Sequence, residues 1–114
     1  MNDLCEIEFK ELKELYLGVN KISDIKVLEK VKFDKLEILN LGYNQISDIN
    51  ILEKVNFKEL KKLNLFVNNI SDIKVLEKVK FEKLETLYLG NNKISKLDKN
   101  SIKQKLKIKE LIIW

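Results

Sequence analysis

The chain has 114 residues, a net charge of +4 and an apolar content of 45%. This length suits one domain, and the apolar content suits a folded core rather than a disordered chain. All 22 basic residues are lysine and histidine is absent, so the chain lacks the most common general base and metal ligand as well as arginine, the best bidentate phosphate donor.

The N-terminal stretch is acidic and periodic. Leu4, Ile7 and Phe9 have the spacing of a half repeat, which predicts a partial N-terminal repeat over residues 1–11. Cys5 is the only cysteine, so an intrachain disulfide is excluded, and without a histidine base we interpret this residue as an exposed bystander. The start does not resemble a signal peptide, and no apolar stretch approaches the roughly 18 residues that span a membrane. We therefore expect a cytoplasmic protein.

Two periodicities follow each other within residues 12–35. "LKELYL" alternates at Leu15 and Leu17, which predicts a short strand. In the next stretch, "SDIKVLEKV", the apolar residues lie three apart, at Ile25, Leu28 and Val31. This spacing predicts a short helical segment, with Ser23 or Asp24 as its N-cap.

The same unit recurs every 24 residues. Full copies occupy 12–35, 36–59 and 60–83, a degenerate copy occupies 84–107, and a final strand or cap occupies 108–114. One copy buries too few apolar side chains to offset the entropy lost on ordering its backbone. Stacked copies share their apolar faces, so we expect a single domain in which the strands form a parallel sheet.

An asparagine lies in the same place in every copy, among residues that avoid water. After each strand the chain must turn, and the turn leaves backbone groups at the edge of the core that need partners. A side-chain amide can supply them to its own turn and to the adjacent coil. We therefore interpret these residues as a structural ladder: Asn20, Asn44, Asn68 and Asn92.

The copies share the pattern L-x-x-L-x-L-x-x-N-x-I, seen in "LKELYLGVNKI", "LEILNLGYNQI", "LKKLNLFVNNI" and "LETLYLGNNKI". This pattern resembles the leucine-rich repeat family, and its short-repeat subgroup of internalin-like and phosphatase-regulator-like proteins in particular. The resemblance implies an α/β solenoid: a right-handed coil with a parallel concave β-sheet and short helical segments on the convex side. It also implies a non-catalytic scaffold that binds partners on the concave face.

Alternation along each strand identifies the side chains of that face. With the strand leucines pointing inward, the intervening residues point outward and form columns that vary from copy to copy. Aromatic residues that the core does not use are typical anchors for a partner, although strands also favour aromatics for structural reasons. The predicted binding residues are Glu14, Tyr16, Ile38, Asn40, Tyr43, Lys62, Asn64, Phe66, Thr86 and Tyr88.

We predict a protein-protein interaction module that needs no cofactor or metal and is not an enzyme. An alternative is a structural unit that self-associates through its end repeats, or a fragment of a longer repeat array. Residues 93–109 carry seven lysines and one acid. This segment is interpreted as a polar end cap, with contact to an anionic partner as the other possibility. Nucleic acid is not expected, because arginine and interleaved aromatics are missing.

Overall fold

The computed structural model describes residues 11–79 and 81–114, and the predicted half repeat and Cys5 lie outside them. Within the described part, five strands of three residues form one parallel sheet in chain order. Each strand residue pairs with the residue 24 positions later, as in Leu15 with Leu39. The strands are β1 (Glu14–Tyr16), β2 (Ile38–Asn40), β3 (Lys62–Asn64), β4 (Thr86–Tyr88) and β5 (Glu110–Ile112). The predicted α/β solenoid is therefore confirmed.

Short 3₁₀ helices return the chain on the convex side of the first three coils. They cover Lys26–Lys30, Asn50–Lys54 and Lys74–Glu77. Apolar residues three apart suit a helix of three residues per turn. Ile25 occupies the N-cap position and makes no side-chain capping bond. One residue earlier, the Oδ1 of Asp24 accepts from the backbone N–H of Lys26 at 2.9 Å. The prediction that Ser23 or Asp24 is the N-cap is therefore wrong, because the N-cap position lies one residue after Asp24.

The fourth coil departs from this plan and forms an α-helix, α1 (Lys96–Lys105). The apolar spacing changes to four residues at Ile102 and Leu106, which suits the α-helical period. Ser95 caps the helix, because its Oγ accepts from the backbone N–H of Asp98 at 3.1 Å. The departure of this copy from the repeat is therefore a change of helix type.

The strand leucines pack into a continuous core. Leu39, Leu63 and Leu87 have no exposed surface. On the opposite side of each coil, the ring of Phe57 stacks against the rings of Phe33 and Phe81, with centroids 6.5 and 6.4 Å apart. Equivalent residues of successive coils, 24 positions apart, thus pack against one another along the array, as the stacking of repeats requires.

The repeated asparagines bond the turns of adjacent coils to one another. The Asn68 Oδ1 accepts from the backbone N–H of Ile46 at 3.0 Å. Its Nδ2 donates to the carbonyl of Leu41 in the preceding coil at 3.0 Å and to that of Leu65 in its own coil at 3.1 Å. Asn44 and Asn92 make the equivalent bonds. The exposed Asn20 donates to carbonyls of its own coil.

Ion pairs connect the coils where the chain approaches each strand. Four of them join residues 24 positions apart: Glu11 with Lys35, Glu37 with Lys61, Glu59 with Lys83, and Glu85 with Lys109. The hydrogen bond that Lys35 donates lowers the pKa of Glu11, and the hydrogen bond that Lys83 donates to Glu59 raises the pKa of Lys83. All these pairs are solvated, so each contributes little to stability.

Replacing Asn68 by alanine should lower the free energy of unfolding by about 2–4 kcal/mol, because buried backbone groups in two coils lose their partners. Urea denaturation followed by circular dichroism measures this loss. Asn20→Ala is the matched control and should lose less than about 1 kcal/mol, since its bonds are exposed. Equal losses in the two variants would contradict a ladder that joins the coils.

Candidate protein-binding surface

The structure brings the ten predicted binding residues together on one side of the sheet. Eight lie on β1–β4, and the other two, Tyr43 and Phe66, follow the second and third strands. Tyr16 and Tyr43 are 59% and 56% exposed, so over half of each ring is open to a partner. Glu14 is also exposed, and the rest are half-buried: Ile38, Asn40, Lys62, Asn64, Phe66, Thr86 and Tyr88.

Two tyrosines on this face are oriented by carboxylates of the outer strands. The hydroxyl of Tyr16 donates to Glu14 at 2.9 Å, and that of Tyr88 donates to Glu110 at 2.8 Å. Each hydrogen bond raises the pKa of the tyrosine, because it stabilises the neutral phenol beside a negative charge. The two acids at the ends of the face are thus already engaged. The contribution of Glu110 was not recognised from the sequence, because this residue belongs to the next coil.

The third strand places a lysine beside an aromatic ring of the fourth. The Nζ of Lys62 lies 5.2 Å from the ring centroid of Tyr88. This distance is within the range of a cation–π interaction. The contact holds the positive charge over the middle of the concave face.

The second residue after each of the first four strands is Gly18, Gly42, Phe66 or Gly90, so the third coil has a phenylalanine where the others have glycine. The ring of Phe66 occupies the space beside Gly90. A Cβ atom on Gly90 would lie 2.8 Å from Cε2 of Phe66 and 2.8 Å from the carbonyl oxygen of Trp114, closer than packed atoms tolerate. The ring of Phe66 also contacts Tyr43 in the preceding coil, with centroids 6.0 Å apart and the planes tilted by 55°. The aromatic surface therefore spans coils and depends on the missing side chain at Gly90.

The turn that precedes each ladder asparagine has a left-handed backbone. The φ angles there are 56° at Val19, 56° at Tyr43, 54° at Val67 and 54° at Asn91. Asparagine tolerates this conformation, whereas a β-branched valine is strained in it. Val19 is nevertheless 80% exposed, so core packing does not explain its presence. Val19 is not among the predicted binding residues, and its position directly before Asn20 is the signal in the sequence that could identify it.

Three lysines of the basic segment 93–109 have contacts within the chain. Lys105 pairs with Glu77 at 2.9 Å, and Lys109 pairs with Glu85 at 3.8 Å. The Nζ of Lys99 lies 4.7 Å from the ring centroid of Trp114. These three lysines therefore contact groups within the chain itself.

Other features of the surface offer weaker sites. Hollows of about 930 and 510 Å³ are lined by the first two convex segments and mix acids such as Asp24 and Glu29 with lysines such as Lys26. In residues 11–79 and 81–114, no group of three or more acidic or cysteine side chains could hold a metal ion. No helix in that part is long and apolar enough to cross a membrane.

The comparisons with known proteins agree with this architecture. A family model described as "Leucine Rich repeats (2 copies)" matches residues 10–54 and 58–103, so the chain belongs to the leucine-rich repeat family. Proteins of this family commonly act as protein-interaction modules. No protein in the curated set matches the chain.

Two solved structures from Listeria monocytogenes str. 4b F2365 are similar to it. The internalin InlF is 36% identical, with a TM-score of 0.72, and the internalin InlC2 is 26% identical, with a TM-score of 0.66. Each match covers 90% of this chain but only 28% of InlF and 42% of InlC2, so the chain spans less than half of either internalin. The predicted internalin-like character is confirmed.

Replacing Val19 by asparagine should raise the free energy of unfolding by about 1 kcal/mol, because asparagine adopts the left-handed backbone with less strain. Little burial is lost, since the valine is 80% exposed. The reverse change, Asn91→Val, should lower stability by a similar amount. Urea denaturation measures both variants, and a Val19→Asn protein no more stable than the wild type would count against stored strain.

Replacing Glu110 by glutamine should lower the pKa of Tyr88 toward its usual value, since the negative acceptor is removed. The folded state favours the protonated phenol, so the pair stabilises the fold below about pH 10, and this contribution is lost as the pH rises through the pKa of Tyr88. A ¹³Cζ NMR titration of the tyrosines measures the change. Glu14→Gln is the matched control and should move Tyr16 alone; an unchanged Tyr88 in Glu110→Gln would contradict the geometry.

Proposed function

We propose that this chain binds a partner protein through its concave sheet. The observation that carries the proposal is the aromatic surface formed by Tyr16, Tyr43, Phe66 and Tyr88, which spans four coils outside the core. Aromatic side chains that are already held in place lose little entropy on binding and commonly dominate the affinity of an interface.

The core and the surface of the chain support the same conclusion. The inward leucines are nearly identical between coils, whereas the outward residues of the strands differ in size, charge and polarity. The ring of Phe66 beside Gly90 and the strained Val19 both lie outside the recurring core. Both features present apolar groups on the same side of the array.

The test compares the wild type with a triple variant in which Tyr16, Phe66 and Tyr88 are replaced by serine. Both proteins are used to capture partners from a lysate of the source organism, and mass spectrometry identifies proteins retained by the wild type alone. The binding of a purified partner is then measured by calorimetry. We expect the triple variant to bind at least about a hundredfold more weakly, because several anchors of an interface are lost together.

A matched control places serine on the convex side, at Val27 and Ile51, which are also half-buried. This variant should retain the affinity of the wild type. Urea denaturation of all three proteins verifies that each is folded. Unchanged affinity in the folded triple variant would refute binding through the concave sheet.

Self-association through the end coils is the second candidate. The leucines of the first and last coils, such as Leu15 and Leu111, are only partly buried, whereas Leu39 and Leu63 are fully buried. A second copy stacked on an end coil would cover this surface. Light scattering over a wide range of concentrations tests this candidate; a monomer at every concentration would exclude it.

A further inference from the structure

The middle of the concave face combines a single charge with polar groups. On β2, β3 and β4 the outward residues are Ile38, Asn40, Lys62, Asn64, Thr86 and Tyr88. Lys62 is the one charged residue among them. The acids of this face lie on the outer strands, and each already accepts a tyrosine hydroxyl. The outward positions of these three strands therefore carry one positive charge and no acid.

Asn40 and Asn64 are fixed in one orientation by their own backbone. The Oδ1 of Asn40 accepts from the backbone N–H of Gly42 at 2.9 Å, and the Oδ1 of Asn64 accepts from that of Phe66 at 2.9 Å. A backbone N–H can only donate, so the oxygen of each amide must face the turn and the NH₂ group must face away from it. Within the described residues, neither Nδ2 atom has an acceptor on the protein, and both side chains are half-buried.

The missing side chain of Gly42 leaves room for these two amides. A Cβ atom at this position would lie 3.3 Å from the Oδ1 of Asn40 and 3.3 Å from the Oδ1 of Asn64, which is tighter than ordinary packing. The two asparagines are paired in register on adjacent strands, and adjacent strands lie about 4.8 Å apart. Two outward NH₂ groups thus lie side by side, and Lys62 lies on the same face, two residues before Asn64 on the same strand.

We infer that Asn40, Asn64 and Lys62 form a recognition site for the carboxylate of an aspartate or glutamate on the partner protein. The inference rests on the proposed binding through the concave sheet and specifies the chemistry of the partner. A carboxylate has two acceptor oxygens and a negative charge, which match two amide donors and an ammonium. A cationic partner residue would meet only donors and a like charge. Phe66 and Tyr88 flank the site and provide apolar contact for the rest of the bound segment.

A library of random displayed peptides provides a defined probe. It is selected on the wild-type protein, and the peptides that fail to bind the triple-serine variant are kept. Displayed peptides carry carboxylates but no phosphate, so an enrichment in aspartate and glutamate reports carboxylate recognition. We expect the retained peptides to share an acidic residue. Its replacement by the matching amide, glutamate to glutamine or aspartate to asparagine, should weaken binding at least about tenfold.

Isosteric variants of the protein test the site directly. In Asn64→Asp the carboxylate can still accept from the backbone N–H of Phe66, but an oxygen replaces the outward NH₂ group. This variant should bind the acidic peptide at least about tenfold more weakly, because like charges meet. Lys62→Gln should also weaken binding, whereas Lys61→Gln, whose lysine pairs with Glu37 away from this face, should not.

The outcomes separate the two proposals. The carboxylate site is overturned if the retained peptides, which need Tyr16, Phe66 and Tyr88, share no acidic residue. It is also overturned if they bind Asn64→Asp as well as the wild type. In both cases the proposed concave interface is retained. If no peptide binds the wild type in preference to the triple-serine variant, both proposals fail. Urea denaturation verifies that Asn64→Asp and Lys62→Gln are folded.

Discussion

The hydrogen bonds that the buried asparagines make between adjacent turns are the constraint on which the rest of this structure depends. Asn68 serves the backbones of two coils at once, so every coil must turn at the same residue and with the same left-handed backbone. That requirement fixes a 24-residue register, and the register aligns the leucines beneath the sheet. Inward residues are thereby held nearly constant, and sequence variation is directed to the concave side.

The variable side of the sheet shows cooperation between coils that a single repeat cannot provide. The ring of Phe66 needs the empty position at Gly90 and the neighbouring ring of Tyr43. Tyr88 is oriented by Glu110 of the next coil and lies beside Lys62 of the preceding one. A partner would therefore meet a surface whose parts are held in place before binding, which reduces the entropy lost on association.

Much of this architecture was predictable because the same sequence pattern occurs in several copies. The strands and the parallel sheet follow from the period of 24 residues, and the resemblance of the L-x-x-L-x-L-x-x-N-x-I pattern to the leucine-rich repeat family implied the internalin-like solenoid. Other features depend on single residues or on neighbours distant in sequence. The α-helix of the fourth coil arises from Ser95 and a changed spacing at Ile102 and Leu106. The positive φ of Val19 is set by the turn rather than by valine, and the outward amides of Asn40 and Asn64 follow from bonds that local pattern does not reveal.

Because of the ion pairs between the coils, removing or adding an even number of coils has a different effect from removing or adding an odd number. Lys35 lies between Glu11 and Glu59 in sequence, and Glu37 lies between Lys13 and Lys61, so the sign alternates from one coil to the next. The alternation continues to Lys109 in the second row and stops at Lys83 in the first, where Lys107 follows. The two family-model matches begin at residues 10 and 58, two coils apart. Excising the single coil 36–59 would set Lys35 against Lys83 and Lys13 against Lys61. Removing 36–83 would instead return Glu85 to the side of Lys13. Lys107 would then follow Lys35, as it already follows Lys83 in the intact chain, so such a scaffold is best shortened or lengthened by an even number of turns.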